Sequence, residues 1–323
     1  MLCSIQDMTV TFGPPNAART AVDRFDLEIP AATVTGLVGE SGSGKSTLAF
    51  SMLNLVPFRG GTVRSGRVFF EGQDLLSLPE PHLRSVRGKS VGFVFQEPCA
   101  FLNPLMRLGR QIAEPLMIHE GVSHKAALRE ASRLLTELGV NDPCLRLRQY
   151  PFELSGGQLQ RILIATAIIL RPRLLIADEP TTALDVTTQH SIVRMLEEQK
   201  HRRGLAILFI SHDLALVSQI ADRIAVMHAG SVVEWGSTKE ITRHPVHPLT
   251  RELLEAAASE SAAGVFSEPG NTAAVPENAG RGCSFSPRCP ISDAACAAHR
   301  PEYRLINPEH GVACHRPHDF DTA

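Results

Sequence analysis

The sequence predicts an α/β protein, a parallel sheet covered by helices and interrupted by an all-helical insert. Three observations carry this. From Arg173 onward, short apolar runs alternate with helical segments, a rhythm that needs crossover connections and hence parallel strands. The glycine-rich stretch GESGSGKST, residues 39–47, stands between a strand-like run and a helix-like run. Between these regions, from about Pro104 to Leu170, strand character gives way to helix.

Taken in order, AATVTGLVG (31–39), GRVFFEGQDL (66–75) and SVGFVFQ (90–96) read as strands, with a helix from about Lys45 to Val56 after the glycine-rich loop. In the middle, Ser123 is placed to cap a helix ending near Gly139, and Ser155 to open another, because a hydroxyl at that position satisfies an unpaired backbone amide. RLLIAD is then a strand, DVTTQHSIVRMLEEQKHRR a helix stopped by Gly204, LAILFI a strand, and RIAVM another strand after a short helix that follows His212. Past about residue 258, SESAAGVFSEPGNTAAVPENAG has the Ala, Ser, Gly, Pro and Glu content of a linker. The predicted organisation is a nucleotide-binding domain over 1–250, a helix end and linker over 251–280, and a Cys-rich extension over 281–323. No internal repeat is visible.

At 323 residues and 43% hydrophobic composition the chain can bury a substantial core. A net charge of −2 and a pI near 6.7 leave no basic footprint for nucleic acid or an anionic bilayer. The longest apolar run, Ile162 to Leu170, is far shorter than the roughly 20 residues a spanning helix needs. The start, MLCSIQDMTV, has neither a basic region nor an apolar core of a signal peptide, so a cytosolic protein is expected. In that compartment seven cysteines point to metal or to chance rather than to disulfides.

GESGSGKS fits G-x-x-x-x-G-K-[ST] in the strand–loop–helix context that the motif requires. Gly39, Glu40, Ser41, Gly42, Ser43 and Gly44 would wrap phosphates with backbone amides, with Thr47 closing the loop. Lys45 supplies a point charge, and Ser46 a hydroxyl for Mg²⁺. LLIADEP (174–180) delivers two carboxylates at the end of an apolar strand, where α/β sheets bind ligands. Asp178 is the expected metal partner, and Glu179 is placed to orient or deprotonate an attacking water. Together these motifs specify an NTPase.

Other candidates carry two readings each. Gln96 at the end of FVFQ either reaches the metal and γ-phosphate or is an ordinary strand-end residue. His212 in FISHD is either catalytic or structural, and Phe12 either stacks on a base or belongs to the core. LSGGQ (154–158) places Ser155, Gly156, Gly157 and Gln158 at a helix start, a second anion cradle far from the first.

The order P-loop, Gln96, LSGGQ, the Asp–Glu pair, TTALD and His212 resembles the nucleotide-binding subunits of ABC transporters over about residues 1–250. The resemblance implies a RecA-like P-loop NTPase core with an N-terminal antiparallel β subdomain and an inserted all-α subdomain at about 104–170. It also implies a head-to-tail pair of ATPases, which answers why one chain needs two cradles. Ser155, Gly156 and Gly157 would contact the γ-phosphate held by the partner's P-loop, and Asp185 would communicate across that interface. By the same carry-over Glu179 matches the general base, His212 the γ-phosphate switch, and residues near Glu97 to Pro115 the face toward the membrane subunits.

FQEPCAFLNPLMRLGRQIAEPL, LLIADEPTTALDVTTQ and HPLTRELLEA are similar to the D-type ATPases of dipeptide, oligopeptide and nickel importers. The expected partners are an F-type ATPase, two transmembrane permease subunits and an extracytoplasmic solute-binding protein, with no nucleic acid. The expected place is the cytoplasmic face of a bacterial inner membrane. Leu159 and Phe152 depart from the residues expected there, a basic one and a histidine, and GKST is the more general loop ending. The rival readings are a soluble ABC ATPase acting on nucleic acid or in translation, an importer of nickel or another non-peptide solute, and a regulatory protein whose tail senses redox or iron.

In the tail, Cys283, Cys289, Cys296 and Cys314 are separated by five, six and seventeen residues. These gaps are unlike paired zinc spacing, whereas a [4Fe–4S] cluster tolerates irregular spacing. The tail also resembles the extension of peptide-importer ATPases, some of which carry such a cluster. An iron–sulfur cluster, zinc and no metal all stay open, with His310 and His315 close enough to change the ligand count. Cys3, Cys99 and Cys144 read as small apolar residues.

Overall fold

The structure is a computed structural model that describes residues 1–263 and 282–317. Two compact units divide the chain. One comprises Met1–Cys3, Ile29–Val34 and Phe70–Ile210, the other Ser4–Glu28, Thr35–Phe69 and Ser211–Ala323.

The described residues form twelve strands. They are β1 (Cys3–Phe12), β2 (Arg19–Ile29), β3 (Val34–Val38), β4 (Gly61–Phe70), β5 (Gln73–Asp74) and β6 (Val91–Val94), then β7 (Leu174–Asp178), β8 (Ala206–Ser211), β9 (Arg223–His228), β10 (Ser231–Ser237), β11 (Arg304–Asn307) and β12 (His310–Val312).

In the first unit, β6, β7 and β8 lie side by side in parallel, Val94 opposite Ala177 and Asp178 opposite Ile210. Every residue of β7 and β8 is buried, which is why both read as apolar runs, closed by Asp178 and Ser211, rather than as alternating ones. The helical middle is there. Helices run over Leu108–Glu120, His124–Glu137, Pro143–Arg146 and Gly156–Ile168. The Ser123 hydroxyl accepts from the Ala126 amide, as predicted, and Ala127, Ala131, Leu134 and Leu135 form the buried stripe of the helix it caps. The 18-residue helix Val186–Arg203 ends at Gly204, whose φ of +62° lets the chain turn away.

In the second unit β3 pairs in parallel with β9, and β9 in turn pairs antiparallel with β10. The tail continues this layer. β12 pairs antiparallel with β10, and β11 with β12. A buried polar cluster fixes the attachment. Glu234 on β10 is wholly buried, and its carboxylate accepts from the amides of Val246 and His247 at 2.9 Å each and lies 2.7 Å from His310 Nε2. A buried charge needs this many partners. β2, β1 and β4 are neighbours in a separate sheet. The contacts Asp7 to Asp26 and Thr9 to Arg24 step in opposite directions, so β1 and β2 run antiparallel.

Several sequence expectations shift. GRVFFEGQDL is not one strand. β4 starts earlier, at Gly61, and stops at Phe70, where Glu71 and Gly72 turn with positive φ before the short β5. The helix after the glycine-rich loop ends at Met52 rather than Val56, because Asn54 takes a φ of +51° and Pro57 follows. β10, β11 and β12 were not foreseen; their short sequences carry no strong alternation. The helix Pro248–Ala263 continues past residue 258. The remainder of the expected linker, residues 264–280, lies outside the described residues, as do residues 281 and 318–323 of the expected extension. Cys3 is buried as expected, but Cys144 is exposed.

Candidate functional site

The glycine-rich loop follows β3 in the second unit. Gly39 cannot be replaced, since a Cβ there would stand 2.2 Å from the Met227 carbonyl oxygen. Gly44 has a φ of +107°, and its Cβ would meet the Ala21 carbonyl at 2.2 Å. The helix that follows starts at Lys45. Lys45 is 4% exposed, and its ammonium donates to the carbonyls of Gly39 and Glu40 at 2.7 and 2.8 Å. Ser41 and Gly42 are exposed at the apex, while Ser43 is buried, and Ser46 and Thr47 are half-buried in the first helical turn. The loop rests on the turn after β9, where the Gly230 amide donates to the Ser43 carbonyl at 2.8 Å.

Glu40 points into a cluster of charges. Its carboxylate lies 3.3 Å from His228 Nδ1 and 2.6 Å from Arg288 Nη1. The hydrogen bond from His228 and the contact with Arg288 outweigh burial and pull its pKa down to about 2. Phe12 ends β1 and is half-buried, with its ring against Gly61 at a spacing that leaves 2.7 Å for a Cβ. His212, which follows β8, is exposed, and the next residue, Asp213, caps the helix Leu214–Ser218 through the Leu216 amide.

In the first unit Asp178 and Glu179 end β7, and both are buried. Glu179 has a φ of +45°, a costly conformation for a side chain with a Cβ, and its amide donates to the Ile210 carbonyl at 3.0 Å. Its Oε2 accepts from Gln96 Nε2 at 3.1 Å and from the Thr182 hydroxyl at 2.8 Å. The structure thus brings Gln96 and Glu179 together, 83 residues apart in sequence. Thr182 was missed by sequence reasoning; its place three residues after Glu179 was the available signal.

Ser155 precedes the helix Gly156–Ile168, and Gln158 Oε1 accepts from the Ser155 amide at 3.1 Å. Ser155 and Gly156 are exposed, so the helix start faces solvent. Asp185 caps the next helix, accepting from the Thr188 amide at 3.0 Å and the Thr188 hydroxyl at 2.7 Å. These two starts pack closely. A Cβ on Gly157 would stand 2.5 Å from Thr188 Cγ2. That contact gives Gly157 a reason beyond access to an anion.

In the tail, Cys283, Cys289, Cys296 and Cys314 line one pocket together with His247 and His315. Burial pushes the Cys314 thiol up to about 11 and raises Cys283 and Cys289, with the neighbouring cysteine thiols adding to it. Thiol sulfur is the donor an iron–sulfur cluster or zinc takes. Yet among the described residues no three His, Cys, Asp or Glu side chains are arranged to hold a metal ion. The ligand set expected from the sequence is therefore gathered but not in a coordinating arrangement. His310 is engaged with Glu234 and is not among the pocket's lining.

The Gly157 contact makes one expectation for Gly156–Ile168, the helix opened by the LSGGQ stretch and called here the signature helix. Gly157→Ala should destabilise the protein by ~1–3 kcal/mol through overpacking, read as a lower denaturant midpoint. Thr188→Ser, which removes the obstructing methyl and keeps the hydroxyl on Asp185, should recover most of it; no recovery would mean the contact is unimportant.

The ABC transporter family matches residues 22–182, and the C-terminal region of oligopeptide/dipeptide transporters matches residues 233–296. The oligopeptide transport ATP-binding protein OppD of Salmonella typhimurium is 40% identical over 322 residues, covering 98% of this chain and 94% of that protein. The peptidoglycan transport ATP-binding protein YejF of Agrobacterium fabrum is 46% identical over 255 residues, 79% of this chain but about half, 47%, of that longer protein. Among solved structures, a dimeric ATP-binding cassette in a post-hydrolysis state with ADP and Pi superposes with a TM-score of 0.65 at 26% identity, covering 73% of this chain and 99% of that one. The fold is that of an ABC ATPase cassette, and the chain belongs to the ABC transporter ATP-binding proteins, with the C-terminal region of the oligopeptide/dipeptide branch.

Proposed function

We propose that this ATPase powers import of peptides or peptide-containing solutes, and that it works in a head-to-tail pair. The observation that carries the reading is the presence in one chain of two helix starts suited to phosphate, at Lys45 and at Ser155, together with Glu179 held in a strained conformation by Gln96 and Thr182. One start serves the chain's own ATP. The exposed one, Ser155–Gly157, serves the partner's. The names of the OppD and YejF relatives support the peptide class over nickel or another non-peptide solute.

In this reading the amides of Gly42, Ser43 and Gly44 surround the phosphates and Lys45 exchanges its two carbonyl partners for phosphate oxygens. Phe12 supports the base. Ser46, Gln96 and Asp178 are oxygen donors of the kind Mg²⁺ takes, and the ion supplies charge neutralisation on the phosphates. Glu179 takes the proton of the attacking water or orients it, with the amide of Gln96 and the hydroxyl of Thr182 fixing its carboxylate. His212 senses the γ-phosphate, and Asp185, already the cap of its helix, faces the partner.

Among the described residues no helix is long and apolar enough to cross a membrane. The proposed assembly therefore adds two transmembrane permease subunits, an F-type ATPase and an extracytoplasmic solute-binding protein, with this chain at the cytoplasmic face. The division into a P-loop core, an antiparallel β subdomain, a helical subdomain and a Cys-rich extension is part of the same proposal. So is a [4Fe–4S] cluster in the tail, supported by the convergence of four thiols on one pocket. Its ligation would require the side chains to rearrange.

Three measurements test these assignments. Glu179→Gln should bind ATP and stay in the closed pair with turnover reduced at least ~100-fold, within the range for loss of a general base; near-normal hydrolysis would remove Glu179 from that role. Ser155→Arg should block nucleotide trapping at the companion's P-loop while sparing this chain's own, and the reverse pattern would overturn the trans arrangement. Anaerobically purified protein should contain iron and acid-labile sulfide with broad visible absorbance, lost on Cys296→Ser. Zinc alone or no metal would exclude the cluster.

A further inference from the structure

The tail does more than extend the sheet. Arg288, within the loop between Cys283 and Cys289, reaches the glycine-rich loop 248 residues earlier and donates to Glu40 Oε1 at 2.6 Å. Its other nitrogen donates to Glu252 Oε2 at 2.8 Å, so one guanidinium joins the loop to the helix Pro248–Ala263. The planar fork of arginine suits two such carboxylates. The loop that bears Arg288 is itself held in place. Phe285 is 2% exposed and stands edge-on to the rings of His228 and His247, with the Arg288 guanidinium 5.1 Å from its ring centre.

Glu40 is thereby gripped at both ends. Its carboxylate is taken by Arg288 and His228, and its backbone carbonyl accepts from Lys45, the residue assigned to the phosphates. The same carbonyl accepts from the Ser43 amide at 3.1 Å. A displacement of Glu40 therefore moves the resting place of the Lys45 ammonium and the Ser43 amide within the loop. A second anchor acts on the bed beneath the loop. Arg300 of the tail engages the Asp23 carboxylate and donates to the Ser231 hydroxyl at 2.6 Å. Asp23 donates its amide to the Gly230 carbonyl, and the Gly230 amide holds the Ser43 carbonyl.

We propose that Arg288 is a positioning residue for nucleotide binding, through which the Cys-rich tail sets the conformation of the glycine-rich loop. This rests on the reading that residues 39–47 bind ATP. The tail is then a clamp on the nucleotide site. Arg288 touches no reacting atom, so its loss weakens ATP binding and leaves the chemical step alone.

The test is steady-state ATP hydrolysis by the assembled transporter, with equilibrium binding of a fluorescent ATP analogue to the full chain. Arg288→Ala should raise KM for ATP about two- to fivefold with kcat unchanged, a size that fits a partly exposed ion pair. Arg288→Glu, which sets a like charge against Glu40 and Glu252, should raise it about tenfold or more, and Arg288→Lys should stay near wild type. An unchanged KM in Arg288→Glu, or a fall in kcat alone, would overturn the proposal. Lys45→Ala separates the two readings. If it binds the analogue normally, the loop is not the ATP site. If it abolishes binding while Arg288→Glu changes nothing, the loop stands and the clamp falls.

Discussion

The constraint on which this molecule depends is that the side chains of its proposed site sit where wholly buried strands end. β3, β7 and β8 are buried along their full length, so their side chains pack on both faces and their position along the strand direction is set by those contacts. A charged side chain is costly inside such a strand unless it is paired. Asp178, Glu179 and the glycine-rich loop therefore appear just as the strand leaves the core. Parallel pairing of β6 with β7 places the end of β6, and Gln96 two residues beyond it, beside Glu179. The approach of the amide to the carboxylate follows from sheet register rather than from any local motif.

Helix starts supply the second theme. Four helix starts of the described residues bear on the proposed site and its scaffold, at Gly44, Ser123, Ser155 and Asp185. Only Ser123 and Asp185 have their own side chain on the first-turn amides. At Gly44 no side chain is present, and at Ser155 the exposed Gly156 keeps the backbone accessible. An anion can be accommodated at a helix start whose amides are not already satisfied, which distinguishes the two starts assigned to phosphate from the two that cap the scaffold. The cap at Asp185 has a further effect, since it holds Thr188 against Gly157 and so ties the signature helix to the segment after Glu179.

The tail shows how a small module gains stability without a large core of its own. Its strands add to β10, a buried Glu234 takes His310, and Phe285 fills a space between two histidines. Arg288 and Arg300 then reach the loop and the turn that supports it. Packing gives the module its place, and the two arginines give it contact with the functional end of the sheet. The four thiols share a pocket with Phe285 and Ser286, so whatever state they adopt bears on a segment that also carries Arg288.

The sequence by itself determined the parts whose physics is local. Glycines at 39, 42 and 44, a capping serine at 123, and unbroken apolar runs at 174–177 and 205–210 express steric and hydrogen-bonding demands that are met within a few residues, so they are legible without knowing the fold. The nucleotide chemistry follows from those same short stretches. What only the tertiary structure decided are the partnerships between distant segments: Gln96 on Glu179, Thr188 against Gly157, His310 on Glu234 and Arg288 on Glu40. None has a period or a spacing that a sequence displays, because each is set by where packed elements bring two side chains after the chain has turned many times. The short β10–β12 strands belong with them, since their pairing depends on the buried Glu234 they surround rather than on an alternation of their own.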